Sequence, residues 1–364
     1  MAFALSETEA AFQRAILIDA DDWAARLAYA DWLEEQQRSL ESHVLRMELA
    51  LQEYAFDDPR RTQLRSQLWE LHRELDTLWI HRLPTLGGVV WGHVVHGVMN
   101  QVQISLGAQS RFPEGLFPFL PMMHLQLERI HPKQVRSIRE HPALQSLVAL
   151  TCDSSEVPLP VLMELLSSPF LVNLAVLRLP NLSLTNECTE ILTRSPVLHG
   201  LQRLDLSRNH LTAISGELLG ESPMMQQLRE LSLYRNDFFD AGILSLVKSR
   251  EFPQLTSLEV MNMHIGDRGA IALAESGIFR KLATINLCYN PIGDKGIAAF
   301  AECPDLNGKR LILRGNRIGD RGAMALIRSS VIDPTVTTLE LGDHQMSETA
   351  QERLREHFGP RIYV

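Results

Sequence analysis

Hydrophobic and polar residues follow one fixed order in the middle of the chain. Over residues 201–211, leucine occupies the first, fourth, sixth and eleventh positions, and asparagine occupies the ninth. The fourth and sixth positions are two residues apart, which is the spacing of side chains on one face of a β-strand. The same order returns over residues 228–236 and 282–292. The pattern therefore predicts a short strand followed by a turn, repeated along the chain.

The ninth position of this pattern recurs at a nearly constant interval. Its nine occurrences are Ile130, Ser155, Leu182, Asn209, Asn236, Met263, Asn290, Asn316 and His344, separated by 25, 27, 27, 27, 27, 27, 26 and 28 residues. Leucines in this order with asparagine at the ninth position are the signature of a leucine-rich repeat, in which stacked units share one core. We expect buried leucines, and asparagine amides that bond the backbone of the turns.

Later repeats continue from the turn into a helix through one short motif. Ile-Gly-Asp-x-Gly stands at residues 265–269, 292–296 and 318–322. We expect the first glycine to permit a tight turn, the aspartate to cap its own helix, and the second glycine to let helix and strand approach. A repeat of this length with this motif resembles the ribonuclease-inhibitor-like class of leucine-rich repeats, over about residues 145–346. That resemblance implies an α/β solenoid, a horseshoe with a parallel sheet on its concave wall and helices outside.

Helical spacing dominates the first 85 residues. Ser6 and Glu9 form a capping box at the start of the first helix. A third helix is expected from about Leu40 to Ala55, and a fourth begins at Pro59, where proline is favourable. The fourth carries leucines from Leu64 to Leu78 in steps of 4, 3, 4 and 3 residues. That seam fits either the inner face of a small helical bundle or the face of a coiled-coil dimer.

The front helices also carry a second resemblance. The run Tyr-Ala-Asp-Trp-Leu-Glu-Glu at residues 29–35, with residues 11–17 and 44–49, resembles the bacterial repeat-companion domain of planctomycetes and myxobacteria. That family precedes repeat arrays and has no established activity. We therefore expect an all-α module over residues 1–85 and a repeat domain over 86–364. The repeat domain would comprise a capping segment (86–121), nine repeats (122–346) and a C-terminal cap (347–364).

The composition of the chain limits the classes of partner and the compartment that are expected. The net charge is −9, and the first 95 residues carry 9 Arg against 16 Asp plus Glu. Nucleic acids and anionic membranes attract a basic surface, so neither partner is expected. The four cysteines are far apart and no signal peptide or transmembrane run is present, which predicts a cytoplasmic protein with free thiols. Oligomeric state is open, with a monomer favoured.

No motif for catalysis, cofactor binding or metal binding was found. Asp31 and Glu35 share a helix face without a third ligand, and we interpret them as solvated or paired with arginine. His93 and His96 likewise lack a further ligand. Cys288 is expected to face outward, with no histidine at a matching position to activate it. We predict that the protein is not an enzyme.

The outward side chains of the predicted strands are the fifth, seventh and eighth motif positions. Tyrosine, methionine and arginine, which are enriched at protein interfaces, cluster there in the middle repeats. The predicted partner-binding residues are Arg178, Asp205, Arg208, Tyr234, Arg235, Glu259, Met261, Asn262, Asn286, Tyr289 and Arg314. Neighbouring arginines would repel each other, which an acidic partner would relieve.

Three functions fit these sequence features. The first is an adaptor or scaffold that binds a protein on the concave wall. The second is a regulator of a small GTPase or another switch enzyme, which the ribonuclease-inhibitor-like resemblance implies because that class includes GTPase-activating proteins. The third is a homo-oligomeric structural protein that associates through the seam from Leu64 to Leu78.

Overall fold

A computed structural model describes residues 6–20, 22–54, 58–107, 113–116, 123–153, 157–248, 252–335, 337–342 and 344–363. Contacts between residues group the chain into two compact units, Met1–Leu177 (unit 1) and Arg178–Val364 (unit 2). This division by contact differs from the domain boundary predicted at residues 85 and 86. A stack of repeats makes contacts only between neighbours, so contact density does not mark where the array begins. The boundary at 85 stays a prediction.

Unit 1 begins with four helices and continues with strands and two further helices. The helices are α1 (Glu7–Ile18), α2 (Trp23–Glu35), α3 (Ser39–Glu53), α4 (Pro59–Ile80), α5 (Pro132–Arg139) and α6 (Leu159–Leu166). The strands are β1 (Val89–Trp91), β2 (Val94–Val95), β3 (Val98–Leu106), β4 (Met123–Ile130) and β5 (Ala149–Cys152). β1 and β2 pair antiparallel with β3, and β3, β4 and β5 are parallel neighbours. The expected helix end at Ala55 lies outside the described residues.

The front helices pack against the hairpin formed by β2 and β3. Val98 of β3 belongs to the same buried cluster as Tyr29 and Leu33 of α2. Gln13 donates a hydrogen bond to the carbonyl of Gly97 at 3.3 Å. A side chain at Gly97 would lie 2.6 Å from the Tyr29 ring, and its φ is +75°, so only glycine fits this turn. The helices therefore cover the hairpin with a shared core.

Glu48 of α3 is the centre of a buried polar cluster beneath this hairpin. Its carboxylate pairs with fully buried Arg26 at 3.5 Å, with His72 at 3.0 Å and with His96 at 2.8 Å. Burial disfavours the charged carboxylate, but hydrogen bonds to His72 and His96 outweigh it and lower the pKa of Glu48 to about 2. One carboxylate thus connects α2, α3, α4 and the β2–β3 turn.

One detail of the front module differs from expectation and another agrees with it. Ser6 accepts the backbone N–H of Glu9 at 3.1 Å, as a capping box requires, but the Glu9 side chain points inward. It accepts the Tyr29 hydroxyl at 3.0 Å and pairs with Arg38, because burial favours a charged partner over the helix end. Asp31 pairs with Arg46, as anticipated.

Unit 2 alternates short strands with helices. Its first residue, Arg178, is the last residue of β6 (Val176–Arg178). The strands that follow are β7 (Arg203–Asp205), β8 (Glu230–Ser232), β9 (Ser257–Glu259), β10 (Thr284–Asn286), β11 (Arg310–Ile312), β12 (Thr338–Glu340) and β13 (Ile362–Tyr363). The helices are α7 (Asn186–Arg194), α8 (Ala213–Gly220), α9 (Phe239–Val247), α10 (Asp267–Ser276), α11 (Asp294–Ala301), α12 (Asp320–Ile327) and α13 (Glu348–Phe358). Each strand from β7 to β13 is parallel to the next. The predicted α/β repeat fold, with parallel strands, flanking helices and an N-terminal helical region, is confirmed.

The side-chain amides of the asparagines form hydrogen bonds with the backbone of neighbouring turns, as predicted. Asn209 donates to the carbonyls of Leu179 and Leu206 at 2.9 Å and accepts the N–H of Leu182 and Leu184 at 3.0 Å. Asn236, Asn290 and Asn316 make equivalent bonds. Met263 lacks such an amide and is fully buried, which fits the expected apolar turn. Ser155 lies outside the described residues.

The aspartates of the Ile-Gly-Asp motif do not cap their own helices. Asp267 instead accepts the N–H groups of Gly293 at 2.8 Å and Gly296 at 2.9 Å, which begin the helix of the next repeat. Asp240 and Asp294 do the same for their successors. A β-carbon at Gly296 would lie 2.8 Å from Ala270 and 3.0 Å from Asp267. The second glycine therefore makes room for the preceding helix, and also for Ile292 of its own motif, which would lie 2.7 Å from the added carbon.

Candidate functional site

The outward side chains of unit 2 form one continuous surface. We call it the strand face, and it comprises the described residues at the third, fifth, seventh and eighth motif positions from β6 to β12. Register places Asp205 beside Ser232, Ser232 beside Glu259, and Glu259 beside Asn286. Adjacent parallel strands lie about 4.8 Å apart, so these side chains form a closely spaced row. The strand face therefore brings together all eleven residues predicted to bind a partner.

The eighth motif position has a left-handed backbone in six successive repeats. The residues are Asn181, Arg208, Arg235, Asn262, Tyr289 and Gly315, with φ between +49° and +71°. Each donates its N–H to the seventh-position carbonyl of the next repeat. Glycine and asparagine adopt this conformation readily, whereas arginine and tyrosine do so at a cost. Arg208, Arg235 and Tyr289 are thus held in strained positions by a ladder of hydrogen bonds.

Arg208 and Arg235 are exposed neighbours on this ladder. Arg208 Nε donates to the Tyr234 hydroxyl at 2.9 Å, and its guanidinium lies 5.5 Å from the centre of that ring. Arg235 has neither an ion pair nor a side-chain hydrogen bond within the part of unit 2 that the structure describes. Tyr234 therefore holds the side chain of Arg208, whereas the side chain of Arg235 is available to a partner.

Tyr289 has 56% of its surface exposed. Its ring covers Gly315, where a β-carbon would lie 2.4 Å from Cδ1 of the tyrosine. Arg314 pairs with Glu340 at 2.9 Å. An exposed aromatic ring beside a charged pair is a frequent composition at protein interfaces.

The centre of the strand face is more internally bonded than the sequence suggested. Asn286 donates to the Met261 sulfur at 3.0 Å and accepts the N–H of Cys288 at 3.2 Å. Asn262 is half-buried. Cys288 was expected to face outward, but it is buried, and burial raises the pKa of its thiol.

The third motif position was not among the predicted outward positions, although it lies two residues before the fifth and so shares its face. Arg203 pairs there with Glu230 at 2.8 Å. Arg310 pairs with Glu340, which is almost fully buried and also holds Arg314. Among the described residues of the strand face, six arginines stand against four carboxylates. The described part of the strand face therefore has a small excess of positive charge, in contrast to the acidic chain as a whole.

In the described parts of the chain, no group of three or more histidine, cysteine, aspartate or glutamate residues is placed to hold a metal ion. His93 pairs with Asp76 at 2.6 Å, and His96 with Glu48. All four cysteines are buried and unbridged. Within the described ranges, every helix is too short or too polar to span a bilayer.

Comparison with known proteins supports the repeat assignment. Family models of the leucine-rich repeat match residues 200–221, 253–274, 280–301 and 309–326. No curated protein sequence matches significantly. Among solved structures, the chain is similar to an internalin from Listeria monocytogenes, at 16% identity and a TM-score of 0.38. That match covers 70% of this chain and 84% of the internalin.

Proposed function

We propose that the protein is a non-enzymatic scaffold that binds a protein partner on the strand face, the predicted concave wall of the solenoid. Repeat solenoids present extended surfaces of this kind and serve widely as interaction modules. The observation that carries the proposal is the strained ladder at the eighth motif position. Arg208, Arg235 and Tyr289 keep large exposed side chains where glycine or asparagine would be less strained. Strain of this kind clusters at binding sites.

The front helices have a second role in this proposal. They form a cap of the repeat-companion type, which covers the β2–β3 hairpin and protects its edge from other chains. The bond from Gln13 to Gly97 and the cluster around Glu48 support that role. We place the protein in the cytoplasm of a bacterium, where its four unbridged thiols stay reduced.

Photo-crosslinking tests the strand face directly. Tyr289 is replaced by p-benzoylphenylalanine in the full chain, and a native lysate is irradiated. We expect a discrete adduct, whose yield falls at least about tenfold when Arg208 and Arg235 are also changed to alanine, since interface anchors are worth over about 1.4 kcal/mol. The adduct's identity also decides whether the partner is a GTPase, as the regulatory alternative requires.

A matched probe position is available on a helix. Ile214 of α8 is 57% exposed, similar to Tyr289, but lies outside the strand face. The same photo-reactive residue at 214 should not give this adduct. Equal adducts at both positions, or an adduct at 289 that is unaffected by the arginine changes, would reject the strand face as the binding surface.

A further inference from the structure

A pocket opens on the strand face at the start of unit 2. It has a volume of about 370 Å³ and lies over β6 to β9. Its charged lining residues are Arg178, Arg203, Asp205, Glu230 and Glu259. The pocket is therefore built from charges of both signs on adjacent strands.

Most of these charges are already bonded. Arg203 pairs with Glu230 at 2.8 Å. Asp205 accepts the backbone N–H of Ser207 at 2.9 Å, and Glu259 accepts the Ser232 hydroxyl at 2.7 Å.

Arg178 differs from these residues. Within the part of unit 2 that the structure describes, its guanidinium has no ion pair and no hydrogen bond, although the side chain is half-buried in the pocket. Burial holds the pKa of this guanidinium below its usual range, and the neighbouring charge of Arg203 acts in the same direction, whereas the charges of Asp205 and Glu230 offset it only in part. Arginine remains charged in proteins even so. A partly dehydrated cation that no carboxylate contacts directly is unfavourable, and a bound anion that accepts its hydrogen bonds would reduce that cost.

We infer that Arg178 is a subsite for a carboxylate of the bound partner, from an aspartate or glutamate side chain. The inference rests on the proposed function of the strand face. A planar carboxylate can accept two parallel hydrogen bonds from a guanidinium, and it carries a single charge. A phosphate group carries nearly two charges, and Asp205, Glu230 and Glu259 around the pocket would repel it more strongly. The mixed charge of the pocket therefore selects the carboxylate.

A small probe tests the subsite without the partner. N-acetylglutamic acid α-amide, which has one free carboxylate, is titrated into the full chain while the arginine Nε–H signals are followed by NMR. The Arg178 signal is assigned by its loss in Arg178→Lys. We expect a saturable shift of that signal, a much smaller shift of exposed Arg268 on α10, and no shift with N-acetylglutamine amide, the neutral isostere. Arg178→Gln should weaken binding of the probe, followed by calorimetry, at least about tenfold, and Arg178→Lys should weaken it less.

Several results would overturn the inference. They are an unchanged Arg178 signal at saturating probe, an equal shift with the neutral amide, or tighter binding of inorganic phosphate than of the carboxylate. If Arg178→Gln does not fold, the wild-type titration and Arg178→Lys still decide the question. These outcomes are independent of the crosslink at position 289, so the subsite and the wider proposal can fail separately.

Discussion

At the scale of single residues, some exposed side chains of the strand face are carried by backbone in an energetically unfavourable conformation. Arg235 has a φ of +55° and an exposed side chain. A left-handed conformation costs an ordinary residue about 1–2 kcal/mol, because its β-carbon crowds the following carbonyl oxygen. Asparagine tolerates the same conformation because its short side chain bonds the local backbone. Asn181 and Asn262 occupy this position in other repeats.

We expect Arg235→Asn to stabilise unit 2 by about 1 kcal/mol, because it relieves this strain. The free energy of unfolding is measured by urea titration. Arg268→Asn is the control, since Arg268 is also exposed but has helical backbone in α10. The control should give no gain. Equal effects of the two changes would mean that charge, and not backbone strain, sets the stability at position 235.

At the scale of elements, each helix of the later repeats is capped by its predecessor. Asp267 lies at the start of α10 and bonds the first turn of α11. Its carboxylate also faces the positive end of the α11 dipole. The aspartate therefore caps the start of the next helix and, by doing so, links two adjacent repeats.

We expect Asp267→Ala to destabilise unit 2 by about 1–2 kcal/mol, the usual effect of losing a capping side chain. Hydrogen exchange should show the loss of protection in α11, and not in α10, which carries the substitution. Glu275→Ala is the matched control, because Glu275 is exposed on the same helix. Faster exchange confined to α10 would contradict capping of the next repeat.

The sequence predicted some of these features and missed others for physical reasons. Leucine order is a local pattern, so the strands and their register could be predicted from it. The hydrogen bonds that Asp267 accepts from the next repeat could not be predicted. Their donors lie 26 and 29 residues ahead, and the motif fits a local cap equally well. The burial of Cys288 could not be predicted, because its motif position predicts an outward side chain and only the packing around it buries the thiol. The pocket at Arg178 could not be predicted either, because residues at the third motif position line it and that position was not among the predicted outward positions.

At the scale of the whole molecule, stability should be local. Repeats contact their neighbours, so a perturbation in one unit need not spread through the array. The cluster around Glu48 offers a test, because its strength varies with pH. A hydrogen bond to Glu48 raises the pKa of His72 above its ordinary value of 6.5. Protonated His72 therefore stabilises unit 1 fully below that value, and the contribution is lost as the pH rises through the raised pKa.

We expect a shift from about pH 6 to about pH 8 to reduce protection of α2, α3 and α4 against hydrogen exchange, after correction for the intrinsic pH dependence of exchange. Protection of β10 to β12 in unit 2 should change little. His72→Gln should reduce the pH effect, because the histidine whose pKa Glu48 raises is gone. His93→Gln is the control, since the His93 side chain is 79% exposed and its pair with Asp76 is screened by water. Equal losses in both units would show that the molecule unfolds as one cooperative body, and an unchanged slope in His72→Gln would assign the effect to another histidine.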